Sequence, residues 1–92
     1  MSKIKEITKG SVYSMKDCVY QQLLVLSDKR TTVVGGVSRE CVAWNQDRCR
    51  RYDMTEQEIG KLQSTAQLDE HYVDEYVMEN KKNEWENPKP PM

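Results

Sequence analysis

The chain lacks most of what catalytic and membrane proteins carry. Its 92 residues hold one histidine, three cysteines and no apolar run long enough to span a bilayer. With His71 alone, no Ser/His/Asp arrangement at a usable spacing and no paired acids in an apolar setting, no catalytic set can be nominated. Cys18 or Cys41 as a nucleophile with His71 as its base is the one pairing on offer, and no motif singles it out. No enzyme and no cofactor are therefore expected. Three cysteines cannot all pair within one chain, and no apolar segment follows Met1-Ser2-Lys3, so the sequence reads as a reduced, cytoplasmic protein whose cysteines are small buried hydrophobes. Cys18, Cys41, Cys49 and His71 form a zinc inventory in name, but 22, 7 and 21 residues intervene and there is no Cys-x2-Cys knuckle. No metal is expected. Gly35-Gly36 lacks the helix start and the Lys-Ser/Thr of a phosphate loop and reads as a bulge or bend.

Apolar residues are also scarce, 37% against 32% charged. The core must be small, so residues 1–92 form one domain, and dimerisation would add buried surface. Net charge is only −1, yet it is unevenly spread. Residues 1–52 hold ten Lys/Arg against five Asp/Glu, a net of +5; residues 53–92 hold four Lys and no Arg against ten acids, a net of −6.

What is present reads in two parts. Ser11–Met15 alternates polar and apolar residues, as a half-buried strand does, after the Lys9-Gly10 break. Residues 18–26 (CVYQQLLVL) are apolar on both alternating faces, which predicts a central strand covered on both sides. Ser27-Asp28-Lys29 predicts a hairpin turn into a returning strand over 30–34. Strands over 40–44 and 48–52 flank a tight turn at Asn45-Gln46-Asp47. Thr55-Glu56-Gln57-Glu58 is a capping box, and Ile59, Leu62 and Ala66 continue as a helical stripe that Gly60 weakens. Leu68, Tyr72, Val73, Tyr76 and Val77 predict an amphipathic helix over 68–82, with acids at its start and Lys81-Lys82 at its end. Pro88, Pro90 and Pro91 exclude a helix in residues 83–92, which read as a flexible tail with Trp85 its one anchor. The expectation is α+β: a small curled antiparallel sheet over 10–53, a helical part over 54–82, and the tail.

Short strands, hairpins and an aromatic-flanked basic turn resemble small SH3-like barrels in architecture. The short, motif-poor character also looks like that of accessory proteins of phages and mobile elements.

Two surfaces stand out. Trp44, Arg48, Arg50, Arg51 and Tyr52 put three arginines between two aromatics, and Lys29 and Arg30 extend the set. Such a group can clamp phosphates and stack bases of a nucleic acid or nucleotide. The opposing reading is that these arginines neutralise the acids of the C-terminal half, and the near-zero net charge argues against strong non-specific binding. The second surface is the acidic helix, where Asp69, Glu70, Asp74 and Glu75, with Tyr72, Tyr76 and Trp85 as anchors, would suit a protein–protein inhibitor or adaptor. A non-enzymatic binding module with an anionic partner is the leading expectation, and the acidic helix the alternative.

Overall fold

β4, Gly36–Trp44, is the longest strand, and the rest of the sheet is laid along its two edges. The computed structural model describes residues 7–16, 19–28, 31–34, 36–46, 48–82 and 89–91. On one edge β4 pairs with β5 (Cys49–Thr55) through a ladder from Ser38↔Thr55 to Trp44↔Cys49. On the other edge two short strands lie end to end. β2 (Gln22–Val25) takes the Cys41–Trp44 half, and β3 (Thr31–Val33) takes the Gly36–Ser38 half. β1 (Ser11–Ser14) pairs with β2, and β6 (Gln63–Gln67) pairs with β1. All pairings are antiparallel. Six strands thus stand five abreast. α1 (Glu56–Gly60) joins β5 to β6, and α2 (Glu70–Lys82) follows.

The alternation along β2 decides how the helices sit. Leu23 and Val25 enter one cluster with Tyr13, Cys41, Ala43 and Ile59 of α1. Leu24 and Leu26 enter the other with Val12, Val42, Trp44, and Val73 and Tyr76 of α2. Leu23, Leu24 and Val25 are fully buried, so the strand is covered on both faces, as its apolar run predicts. One helix serves each face.

Several expectations are corrected. The sheet is open rather than a curled barrel: β5 and β6 are its edges, and among the described residues no ladder joins them. β2 and β3 do not form a hairpin. Leu26 N–H donates to Glu40 O and carries β2 further along β4, while Asp28 Oδ1 accepts from Lys9 N–H instead of closing a turn between strands. The strand predicted over 18–26 begins only at Gln22. The first helix is a single short piece. Thr55 caps it, its hydroxyl accepting from Glu58 N–H at 3.3 Å, but it ends at Gly60. Residues 63–67, expected to continue it, are the edge strand β6, with all five exposed. The Ile59/Leu62/Ala66 stripe therefore does not exist as a surface. The tail is held at its described end: Pro91 is fully buried and Lys89 is bound at both backbone groups. Ile4, Asp17, Cys18, Lys29, Arg30, Gly35, Asp47, Trp85 and Pro88 lie outside the described residues.

Gly10 supplies the one close approach the topology needs. Its φ of +96° is disfavoured for L side chains, and a Cβ there would collide with Leu68 O. Its N–H donates to Val25 O and its carbonyl accepts from Leu68 N–H, so β2, β1 and the start of α2 converge on it.

Candidate functional site

The Trp44–Tyr52 hairpin is built as a four-residue connection closed by its own first residue. Asn45 N–H donates to Arg48 O at 2.8 Å, and Asn45 Oδ1 accepts from Arg48 N–H at 2.8 Å. Asn side chains favour such local bonds, which is why this residue type nucleates the turn. Its Nδ2 reaches Val19 O at 2.6 Å and ties the turn to the approach to β2.

The pleat then separates the arginines. Arg51 lies opposite Val42 on the α2 face, and Arg50 lies opposite Ala43 on the α1 face, while Arg48 remains in the connection. Arg51 pairs with Glu40, Nη2 to Oε1 at 2.8 Å, a partner from the basic half of the chain. Arg50 is exposed, with its Cζ 5.6 Å from the Tyr52 ring centroid. The Tyr52 ring meets Tyr20 edge-on at 5.7 Å and 82°. Arg48 is exposed too, and among the described residues neither it nor Arg50 forms an ion pair. Trp44 is 5% exposed and belongs to the core under α2, so it anchors the turn from beneath. Of the expected set, Arg48, Arg50 and Tyr52 share the accessible end of the hairpin; Lys29 and Arg30 are among the residues not described.

Two acids of the C-terminal half, Glu56 and Asp74, pair with cations of the first half other than the hairpin arginines. Glu56 Oε2 accepts from Arg39 Nε at 2.9 Å and Nη2 at 2.7 Å. That guanidinium is buried on the α1 face, and its Nη1 has no partner among the described residues. Asp74 bonds Lys9 Nζ at 2.9 Å, and this hydrogen bond raises the Lys9 ammonium above the usual lysine value. Asp69, Glu70 and Glu75 are exposed, as is Tyr72. Tyr76 is not a surface anchor: it is buried, and its hydroxyl faces Lys89 O and Cys49 Sγ. Burial pushes that hydroxyl well up from the ordinary tyrosine value, with the Cys49 contact adding to it.

The cysteine chemistry is divided by the sheet. Cys41 is fully buried on the α1 face, its thiol pushed up to about 12, chiefly by burial. Cys49 is half-buried on the α2 face, and burial raises it too, against a lowering by the Tyr76 hydrogen bond. His71 belongs to α2, on the side opposite Cys41, so the pair Cys41/His71 does not meet. Cys41 and Cys49, on opposite faces, cannot ligate one ion.

A pocket of about 250 Å³ opens beside the turn, lined by Gln21, Gln22, Trp44, Asn45, Gln46 and Pro90. Gln22 and Trp44 are ladder partners, which places them on one face, and Gln21 N–H donates to Trp44 O. The sequence offers no cue to this group. Gln21 and Gln22 lie at the entry to β2, Trp44 ends β4, Asn45 and Gln46 sit in the turn, and Pro90 is brought in because Lys89 is held by Tyr76 and Asn80. Tyr20 is equally hidden, being part of an apolar run that reads as core.

No protein-family model, curated protein or solved structure gives a significant match to this chain. No helix among the described residues is long and apolar enough to cross a membrane.

Proposed function

We propose that the protein is a small non-enzymatic binding module that contacts an anionic partner, a nucleic acid or nucleotide, through the tip of the β4–β5 hairpin. The observation that carries this reading is that Arg48 and Arg50 are exposed and outside every ion pair among the described residues, although the chain holds more acids than bases. The internal-neutralisation alternative needs those acids on the arginines. Among the described residues no acid of the C-terminal half forms an ion pair with Arg48 or Arg50, while Glu56 pairs with Arg39, Asp74 with Lys9 and Arg51 with Glu40. Arg50 over the Tyr52 ring combines charge with a π-face, the pairing that holds phosphate and base together on single strands.

The test is fluorescence anisotropy of labelled oligonucleotides at several salt concentrations. Saturable binding that weakens with salt is expected. Arg48→Ala with Arg50→Ala should flatten the log–log salt slope by about two, one for each phosphate no longer neutralised. Absence of binding at low salt would overturn the reading.

A second reading rests on Tyr72, 42% exposed on the outer side of α2, near Glu75, which forms no ion pair among the described residues. An aromatic left open beside carboxylates suits docking on a basic protein, as an inhibitor or adaptor would. Tyr72→Ala should then abolish capture of that partner and leave oligonucleotide binding untouched.

A further inference from the structure

We infer that the carboxamide pocket beside the turn takes a single unpaired nucleobase, so that the ligand is a single-stranded nucleic acid; this rests on the anionic-partner reading above. Three side chains on its wall, Gln21, Gln22 and Gln46, are exposed and make no hydrogen bond among the described residues. Each presents an N–H donor and a carbonyl acceptor side by side, the arrangement that matches the edge of a base. Trp44 and Pro90 supply the apolar part of the lining. Among the described residues no ionisable side chain lines the pocket, so it suits a neutral, planar, polar group rather than a phosphate. Its volume of about 250 Å³, below the ~300–1,000 Å³ of sites for drug-sized ligands, leaves room for one ring system.

Position links the pocket to the arginines. Asn45 and Gln46 line it, and Asn45 is doubly bonded to Arg48, so the exposed Arg48 follows the pocket wall by two residues. Beyond Arg48 the chain enters β5, where Arg50 and Tyr52 lie on the α1 face, whereas Trp44 and Gln22 of the pocket lie on the α2 face, so only Arg48 in the turn stands between the two. A strand running over the turn would place phosphate at Arg48 and Arg50 and turn a base into the pocket. In a duplex the base edges are already paired and stacked, and extruding one costs a few kcal/mol. Single strands are therefore the preferred form.

The deciding comparison uses three labelled oligonucleotides of equal length with the intact protein: a single strand, its duplex, and the same backbone carrying abasic sites. The single strand should bind roughly tenfold tighter than the abasic strand, the scale of one bidentate base contact, and also tighter than the duplex. Gln22→Ala with Gln46→Ala, both at exposed positions, should remove that difference while leaving the salt slope unchanged. Equal binding of the base-bearing and abasic strands would overturn the pocket inference and leave the arginine reading standing. If no oligonucleotide binds at low salt, both fall.

Discussion

The Tyr76 hydroxyl donates to the Lys89 carbonyl oxygen at 2.5 Å, joining the middle of α2 to a residue thirteen positions on. Asn80, one turn along and fully buried, completes the clasp: its Nδ2 donates to Tyr76 O at 2.9 Å and its Oδ1 accepts from Lys89 N–H at 3.0 Å. Both backbone groups of Lys89 are thereby satisfied by side chains of one helix. Tyr76→Phe should cost about 1 kcal/mol, the net worth of one hydrogen bond, and Asn80→Ala about 1–3 kcal/mol, because it strips a buried site of its partners. Urea unfolding measures both. Hydrogen exchange at the Lys89 amide should accelerate in Asn80→Ala and much less in Tyr76→Phe.

Arg39 of β4 and Glu56 tie the sheet to α1. Arg39 is 4% exposed, and both contacts of its guanidinium go to one carboxylate oxygen of α1. Removing that carboxylate leaves a buried cation with no other ion-pair partner among the described residues. Glu56→Ala should cost about 3–5 kcal/mol. In a domain of this size each kcal/mol moves the melting temperature by about 4–8 °C, so the loss is easily read by calorimetry. Glu58→Ala, at an exposed position in the same helix, should cost well under half as much.

Cys41 makes stability fall in alkali. Burial pushes its thiol up to about 12 from an ordinary value of 9.0, so the folded state holds the proton more tightly. The contribution is intact below pH 9 and is lost as pH rises from 9 towards 12, on the order of 1 kcal/mol for each pH unit. Tyr76, raised by burial, acts in the same direction above pH 10. Denaturant midpoints measured from pH 8 to 11 should therefore decline, and the decline should be shallower in Cys41→Ala. At pH 8 a thiol reagent should label Cys49 before Cys41, and Cys41 only on unfolding.

Gly10→Ala should be among the costliest small substitutions. The added methyl runs into Leu68 O and comes within 2.8 Å of Gln67 Nε2, in a backbone conformation that already disfavours a side chain. About 2–3 kcal/mol is expected from strain and displaced backbone together. At Gly36, φ +130°, nothing lies within 4 Å, so Gly36→Ala carries only the conformational part. The difference between the two midpoints isolates the clash.

Much of this is written into local patterns. Leu23 to Leu26 announce a doubly covered strand because every side chain in the run is apolar. Thr55 and Glu58 announce a cap because their chemistry is local. The division of Arg50 from Arg51 follows from the period of two along β5. What cannot be read depends on distant partners. Residues 63–67 carry no apolar alternation because both faces of an edge strand are wet here, and β1 alone makes them a strand. The stripe of Ile59, Leu62 and Ala66 looks helical by its spacing; Gly60 signals a short helix, but not that the residues beyond it pair with β1 as a strand. β2 and β3 look like a hairpin because a nine-residue β4, long enough to hold both on one edge, is not visible from either. At the site the arginines are legible, whereas the pocket is not, since its wall includes Pro90.

The β1–β6 ladder also governs how the molecule comes into being. Ser11 pairs with Gln67, whereas every other ladder joins strands that are close in sequence or share β4. Closing so long a loop is entropically costly and is repaid only once β6 arrives. β1 to β5 can pair among themselves, but the outer edge of β1 stays unpaired until β6 has arrived. A chain stopped before β6 would present the β1 edge, with its buried Val12 and Tyr13, to its neighbours, whereas in the whole sheet the edge on that side is β6, whose five small or polar residues are all exposed.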